Sequence, residues 1–168
     1  GHLGDTTTEV ADGGTFPSFE FANQTTVTIS GLDDDDDFLV DNPDTATGLT
    51  TLNIFGNEFA GGMNADDDSD DTFDVDKISA VVTTSLFGEG GEDEFNIGVN
   101  NGDLDPILGV VNVTGGSDDD DLNIDDSEGS PDGLITFTNA NITNLGPAVI
   151  NYVGIEDLDI DSQDDANE

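Results

Sequence analysis

Thirty-one of the chain's 40 acidic residues are aspartates, and most of them stand in runs. The runs are Asp33–Asp37, Asp66–Asp71 (broken by Ser69), Glu92–Glu94 and Asp118–Asp121, with a looser cluster from Glu156 to Asp165. Each tight run leads into an apolar residue: Phe38, Phe73, Phe95 or Leu122. Two positions before it the residue is always Asp, namely Asp36, Asp71, Asp93 and Asp120. Three before it stand Asp35, Asp70, Glu92 and Asp119, and four before it Asp34, Ser69, Gly91 and Asp118. A merely solvated acidic surface has no reason to keep such a register against the start of an apolar segment.

Turns rich in oxygen donors suit a hard cation. Ca²⁺ takes six to eight oxygens from carboxylates, carbonyls and water, at about 2.3–2.6 Å. The candidate ligands are Asp34, Asp35, Asp36, Asp70, Asp71, Glu92, Asp93, Asp118, Asp119 and Asp120. The chain has no Cys, and its only His is His2 in a Gly-His start that reads as a cloning remnant, so zinc and copper sites are not expected. Mg²⁺ dehydrates reluctantly and rarely takes an all-protein cage. Several Ca²⁺ ions are therefore expected. The turns are not EF-hands: counted from Asp33, the position that needs Gly is Phe38.

The elements that must position these carboxylates read as short strands. Phe38-Leu39-Val40, Phe73-Asp74-Val75, Phe95-Asn96-Ile97, Leu122-Asn123-Ile124 and Leu158-Asp159-Ile160 alternate or nearly alternate with period two. Val27-Thr28-Ile29, Leu52-Asn53-Ile54, Ser85-Leu86-Phe87 and Val111-Asn112-Val113 precede the runs. The unit is strand, acidic turn, strand, loop. It recurs at steps of 35, 22 and 27 residues between Phe38, Phe73, Phe95 and Leu122, and such periods point to stacked architectures. Stacked at about 4.8 Å, the turns bring carboxylates of successive units above one another, and a divalent ion would convert their repulsion into attraction. No segment repeats apolar residues at helical spacing over three turns. Leu134–Phe137 and Val149–Tyr152 read as two further strands around a loop, and Phe16–Phe21 as a cap or partial rung. The organisation is a tag remnant and N-terminal cap over 1–26, acidic repeats over 27–133, and an irregular hairpin insert with the start of another repeat over 134–168.

The charge, −39 with Lys77 as the one basic side chain, excludes a nucleic-acid binder, which needs Lys or Arg for phosphates. No run of about 18 apolar residues is present to insert into a membrane. Lys77 lies between Asp76 and Ile78 and reads as an ion-paired or exposed residue, not a catalytic amine. Apolar content of 33%, with ten Phe, nevertheless supports a modest core.

Gly115-Gly116-Ser117-Asp118-Asp119-Asp120-Asp121-Leu122-Asn123 resembles the hemolysin-type (RTX) calcium-binding nonapeptide, Gly-Gly-x-Gly-x-Asp-x-U-x with U a large apolar residue. Gly88 to Asn96 resembles it through Gly88, Gly91, Asp93 and Phe95, whereas the turns at Asp36 and Asp71 keep only the Asp and the apolar residue. The stretch Leu122–Ile160, ending in Tyr152-Val153-Gly154-Ile155-Glu156-Asp157-Leu158-Asp159-Ile160, also resembles a repeat of very large secreted bacterial surface proteins. The resemblance implies Ca²⁺ on the matching Asp residues within a parallel β-roll. Because Asp replaces several turn glycines and the units are long, the expectation is an all-β, irregular right-handed parallel β-helix or β-roll-like solenoid with Asp-rich calcium-binding turns.

The function expected is a non-enzymatic calcium-binding structural segment of a secreted surface, adhesive or matrix protein, folding and stiffening on Ca²⁺. Its expected partners are neighbouring repeats of a parent protein and, with Ca²⁺, other copies of itself. Two alternatives are a mineral- or polycation-binding acidic protein and a polysaccharide-active enzyme on the same scaffold. The enzyme would need a groove of convergent carboxylates near Leu134–Tyr152.

Overall fold

The structure is a computed structural model, and it describes residues 8–12, 19–21, 23–32, 34–42, 48–57, 69–130 and 134–163. Asp33, Asp66–Asp68, Asp164, Asp165, His2 and the Phe16–Ser18 part of the expected cap lie outside these residues, as does most of the loops at 42–48 and 57–64. Alternation of β-branched or aromatic residues with polar ones favours half-buried strands. All regular elements among the described residues are indeed strands. They are β1 (Thr8–Asp12), β2 (Phe19–Phe21), β3 (Thr26–Ser30), β4 (Asp37–Asp41), β5 (Thr51–Phe55), β6 (Thr72–Lys77) and β7 (Thr83–Gly90). After these come β8 (Glu94–Ile97), β9 (Val111–Ser117), β10 (Asp121–Asp126), β11 (Thr136–Phe137), β12 (Asn141–Thr143), β13 (Ile150–Val153) and β14 (Asp157–Ser162).

The strands form two seven-stranded sheets. The first has the order β14-β10-β8-β6-β4-β1-β2 and the second β11-β12-β13-β9-β7-β5-β3. From β3 to β10 the chain alternates between the sheets, one strand to each, and all neighbours within that span pair in parallel. Every acidic turn makes the same crossing, from the second sheet to the first. Two antiparallel hairpins end the sheets: β1–β2 beyond β4, and β11–β12 beyond β13.

Inward side chains of both sheets make one hydrophobic cluster. In the first sheet Phe38, Phe73 and Phe95 stack at 5.1 and 4.8 Å between ring centroids, with Leu122 next in register. Each such aromatic contact adds about 0.5–1.5 kcal/mol beyond area burial. Outward positions also form rows: Asn112 donates to Ser85 Oγ at 3.2 Å and Asn151 to Asn112 Oδ1 at 2.9 Å. On the other sheet Asn96 donates to Asp74 and Asn123 to Asn96, both at 3.1 Å.

Residues 134–153 differ from expectation. They hold three strands, not two, because Asn141–Thr143 pairs antiparallel with both Thr136–Phe137 and Ile150–Val153. Asn141 and Thr143 point away from the core while Ile142 is buried, a single apolar residue too sparse to show as a period in sequence.

Candidate metal centre

The invariant aspartates form a ladder inside the acidic turns. The backbone N–H of Asp36 donates to Asp71 Oδ1 at 2.8 Å, that of Asp71 to Asp93 Oδ1 at 2.9 Å, and that of Asp93 to Asp120 Oδ1 at 3.0 Å. Glu156 ends the ladder by accepting from the Asp120 N–H at 3.2 Å. Beside it runs a backbone ladder, with the N–H of Thr72, Glu94 and Asp121 donating to the carbonyls of Asp36, Asp71 and Asp93. The side chain of each inner Asp thus fixes the turn of the unit before it. Asp has the reach for this, and its strict recurrence follows from the geometry.

The second oxygen of these carboxylates has a different setting. Asp71, Asp93 and Asp120 are 1%, 1% and 0% exposed, and their Oδ2 atoms are buried with no hydrogen-bond partner. Each lies against a glycine in or just after the strand that precedes its turn. A Cβ added at Gly31, Gly56, Gly88 or Gly115 would collide with Oδ2 of Asp36, Asp71, Asp93 or Asp120. The same space is approached by the carbonyl oxygen of the next glycine along: Gly56, Gly88, Gly115 and Gly154 respectively. Carboxylate and carbonyl oxygens converge there, and no donor answers the Oδ2 atoms of Asp71, Asp93 and Asp120.

Buried acceptors in a row raise one another's proton affinity. Burial is the main cause that pushes the Asp71 and Asp93 carboxyls up to about 7 and Asp120 up to about 6. The backbone N–H bonds oppose this shift, and neighbouring carboxylates (Asp93, Asp36 and Asp35 around Asp71) add to it. The fit to a hard cation is therefore one of chemistry: orphaned oxygens in glycine cradles, with an excess of negative charge. Among the described residues no three carboxylates cluster in ligating geometry. They are arranged as rows, so an ion here would draw on carbonyls as well as carboxylates.

The remaining candidates lie outside the inner row. Asp35 accepts from the Asp70 N–H at 3.1 Å, and Asp70 from the Glu92 N–H at 2.8 Å, making a second, exposed row. Asp119 is exposed above it. Asp34 and Asp118 occupy left-handed backbone positions, φ 110° and 79°, matching Gly91 at 109°. The Asp34 N–H donates to Ser69 Oγ at 3.2 Å. The ten candidates thus separate into an inner row (Asp36, Asp71, Asp93, Asp120), an outer row (Asp35, Asp70, Glu92, Asp119) and turn formers (Asp34, Asp118).

Glu156 and Asp126 were not among the candidates from the sequence, nor was the cradle role of the glycines. Glu156 stands two before Leu158, so the rule that found the inner aspartates also reaches it. The cradle glycines Gly31, Gly88 and Gly115 stand seven before Phe38, Phe95 and Leu122, a regularity visible in the sequence. Asp126, 1% exposed, accepts from the Leu104 N–H at 2.9 Å in the loops at the opposite end of the strands. Its signal was an acid at an inward position of β10.

The loop region 134–150 contributes Ile142, Leu145, Ala148 and Ile150 to a small apolar pocket with Leu104 and Ile107. Comparison with protein-family models, with curated proteins and with solved structures finds no match in any of the three.

Proposed function

We propose that the chain is a calcium-binding structural module that folds and stiffens on binding several Ca²⁺ ions and has no catalytic role. The observation that carries this reading is the column of buried Asp71, Asp93 and Asp120, each with one oxygen unanswered. Unit charges about 4.8 Å apart repel by roughly 3–4 kcal/mol at an effective dielectric of about 20. The only basic side chain of the chain, Lys77, is not in these turns. A divalent ion bound only by the folded chain removes the repulsion, and its binding energy becomes folding energy. Oxygen-only donors favour Ca²⁺ over softer metals.

The finer architecture belongs to the same proposal. Alternation of successive strands between two parallel sheets is the pattern of a stacked-coil β-solenoid, irregular in rung length. Its right-handed winding follows the general preference of parallel crossovers. The RTX-like turns at Gly88–Asn96 and Gly115–Asn123 support the assignment of Ca²⁺ to the inner aspartates. Dependence on Ca²⁺ fits a secreted protein of a bacterial surface or matrix, since extracellular modules bind the ion at about 10⁻⁴–10⁻³ M. Neighbouring repeats are its natural partners.

Calorimetric titration with Ca²⁺ of the wild type and of Asp93→Asn tests the reading. It expects saturable binding by the wild type and a loss of sites or affinity in the variant. Absence of saturable binding by the wild type would overturn it.

One observation favours a second reading. The outward face of the first sheet carries Glu94, Asp121 and Asp157 on successive strands of one register row, which continues through Thr72 to Asp37. Carboxylates repeated at strand spacing could engage a mineral surface or a polycation. Adsorption to calcium mineral that survives Asp93→Asn but is lost with Asp121→Asn and Asp157→Asn together would favour it.

A further inference from the structure

We infer that this chain assembles head to tail with further copies of itself, the two-strand overhang at one end filling the two-strand recess at the next. The inference rests on the stacked-coil, calcium-bound reading above and adds the partner and the joint.

Among the described residues both sheets contain seven strands, but they are offset. At the end marked by β13 and β14, the first sheet stops at β14, whereas the second continues through β12 and β11. At the opposite end the second sheet stops at β3, whereas the first continues from β4 through β1 and β2. The overhang is two strands at each end, and it belongs to opposite sheets. A second copy shifted along the stack by seven strand positions therefore places β2 beside β14 and β3 beside β11, with neither gap nor overlap in either sheet.

Strand direction agrees with this shift. β1 is antiparallel to β4, and β2 to β1, so β2 regains the direction of β4 and of β14. β11 likewise regains the direction of β13 and of β3. Both junctions between copies become parallel pairs, like those in the middle of the sheets. A single-stranded overhang would have presented the wrong direction.

Exposure agrees as well. An inward register row runs from Val27 through Leu52, Val111 and Ile142 to Phe137. Leu52, Val111 and Ile142 are buried, but Phe137 at the overhang is 53% exposed and Val27 at the recess only partly buried. In the first sheet Leu158 is 39% exposed, although Leu122, its neighbour in register, is 0% exposed. Beside it, Ile160 ends the row of Val40, Val75, Ile97 and Ile124, and Phe19 occupies the register position at that row's other end. A second copy brings Phe137 beside Val27 and Ile160 beside Phe19, and lays β2 along the edge strand that carries Leu158. Open edges bearing apolar side chains are what sheet proteins normally cover. A heterologous contact of this kind, repeated by translation, grows a filament and does not close.

The test is sedimentation equilibrium in millimolar Ca²⁺, from micromolar to near-millimolar protein, with circular dichroism on the same samples. The wild type should gain mass with concentration past the dimer without a plateau. Electron micrographs should show an axial repeat of about 34 Å, seven strand spacings of about 4.8 Å. Leu158→Asp and Phe137→Asp, at exposed positions, should fold as the wild type does yet fail to grow. Leu158→Asp keeps the opposite end, with β2 and β3, intact, so a substoichiometric amount should shorten wild-type filaments. A folded wild type that stays monomeric, or that plateaus at the dimer, overturns this inference alone. A chain that Ca²⁺ does not fold overturns the calcium reading and this inference with it.

Discussion

An inward aspartate here has two oxygens with unequal surroundings. One accepts a backbone N–H from the unit before, and the other sits in a glycine cradle without a donor. Substitutions separate the two roles. Asp93→Asn keeps an acceptor for the Asp71 N–H and removes a buried charge, so without metal it should raise the melting temperature and reduce the further gain from Ca²⁺. Asp93→Ala removes the acceptor too and should destabilise by about 1–3 kcal/mol with or without the ion. Urea denaturation of both variants in chelator and in Ca²⁺ checks this. The pH dependence has a definite sign. Burial raises the folded values of Asp71 and Asp93 to about 7 and Asp120 to about 6, above the ordinary 3.8. The folded chain then holds these protons more tightly than the unfolded one. That contribution to stability is complete below about pH 3.8 and is lost as pH rises through 6 and 7. Melting of the metal-free protein should therefore fall from acid to neutral pH, and rescue by Ca²⁺ should be largest above pH 7. A metal-free protein that is more stable at neutral than at acid pH would contradict this.

At the scale of the element, what matters is how closely a turn approaches its neighbours. Gly88→Ala would press a methyl group onto Asp93 Oδ2 and the Gly115 carbonyl. Such overpacking should lower stability by about 1–3 kcal/mol in chemical denaturation. Phe95→Ala removes the last ring of the aromatic stack, which is 0% exposed, and should lower it by about 3–5 kcal/mol. Leu32 points the other way. It holds φ at 84° and is 52% exposed, so Leu32→Gly relieves left-handed strain and loses little packing. A gain of up to about 1 kcal/mol is expected, read from the same denaturation curves. Much of this was legible beforehand. The period-two segments gave β4, β6, β8 and β10, and the fixed Asp position marked the ladder, because register in a strand decides which face a side chain takes. The β1–β2 hairpin was not legible as such, and of the hairpin expected over 134–168 the strand β12 was missed. These strands are three to five residues long, and their pairing is set by neighbours distant in sequence. Nor could the inner and outer carboxylate rows be told apart: position relative to Phe38 or Leu122 fixes the register but not which Asp turns inward.

At the scale of the molecule the charge is divided unequally between the two sheets. The outward face of the second sheet presents Thr26, Thr28, Asn53, Ser85, Asn112 and Asn151, without an acid among these positions. The first sheet and the turns carry carboxylates in rows. With −39 charges and one basic side chain, the compact state is opposed by its own field. Monovalent salt screens the exposed rows but reaches the buried column much less. A divalent ion seated between turns would act on both the local and the global repulsion. The account therefore places the chain's stability in the inner aspartate column and its counter-ions. The most direct test is thermal melting followed by circular dichroism at neutral pH and fixed ionic strength, in EDTA, then in Mg²⁺, then in Ca²⁺. The account predicts a weak, low-melting β transition in EDTA, a small response to Mg²⁺, and a cooperative, high-melting β spectrum in Ca²⁺. An equally cooperative transition at the same temperature in all three would contradict it.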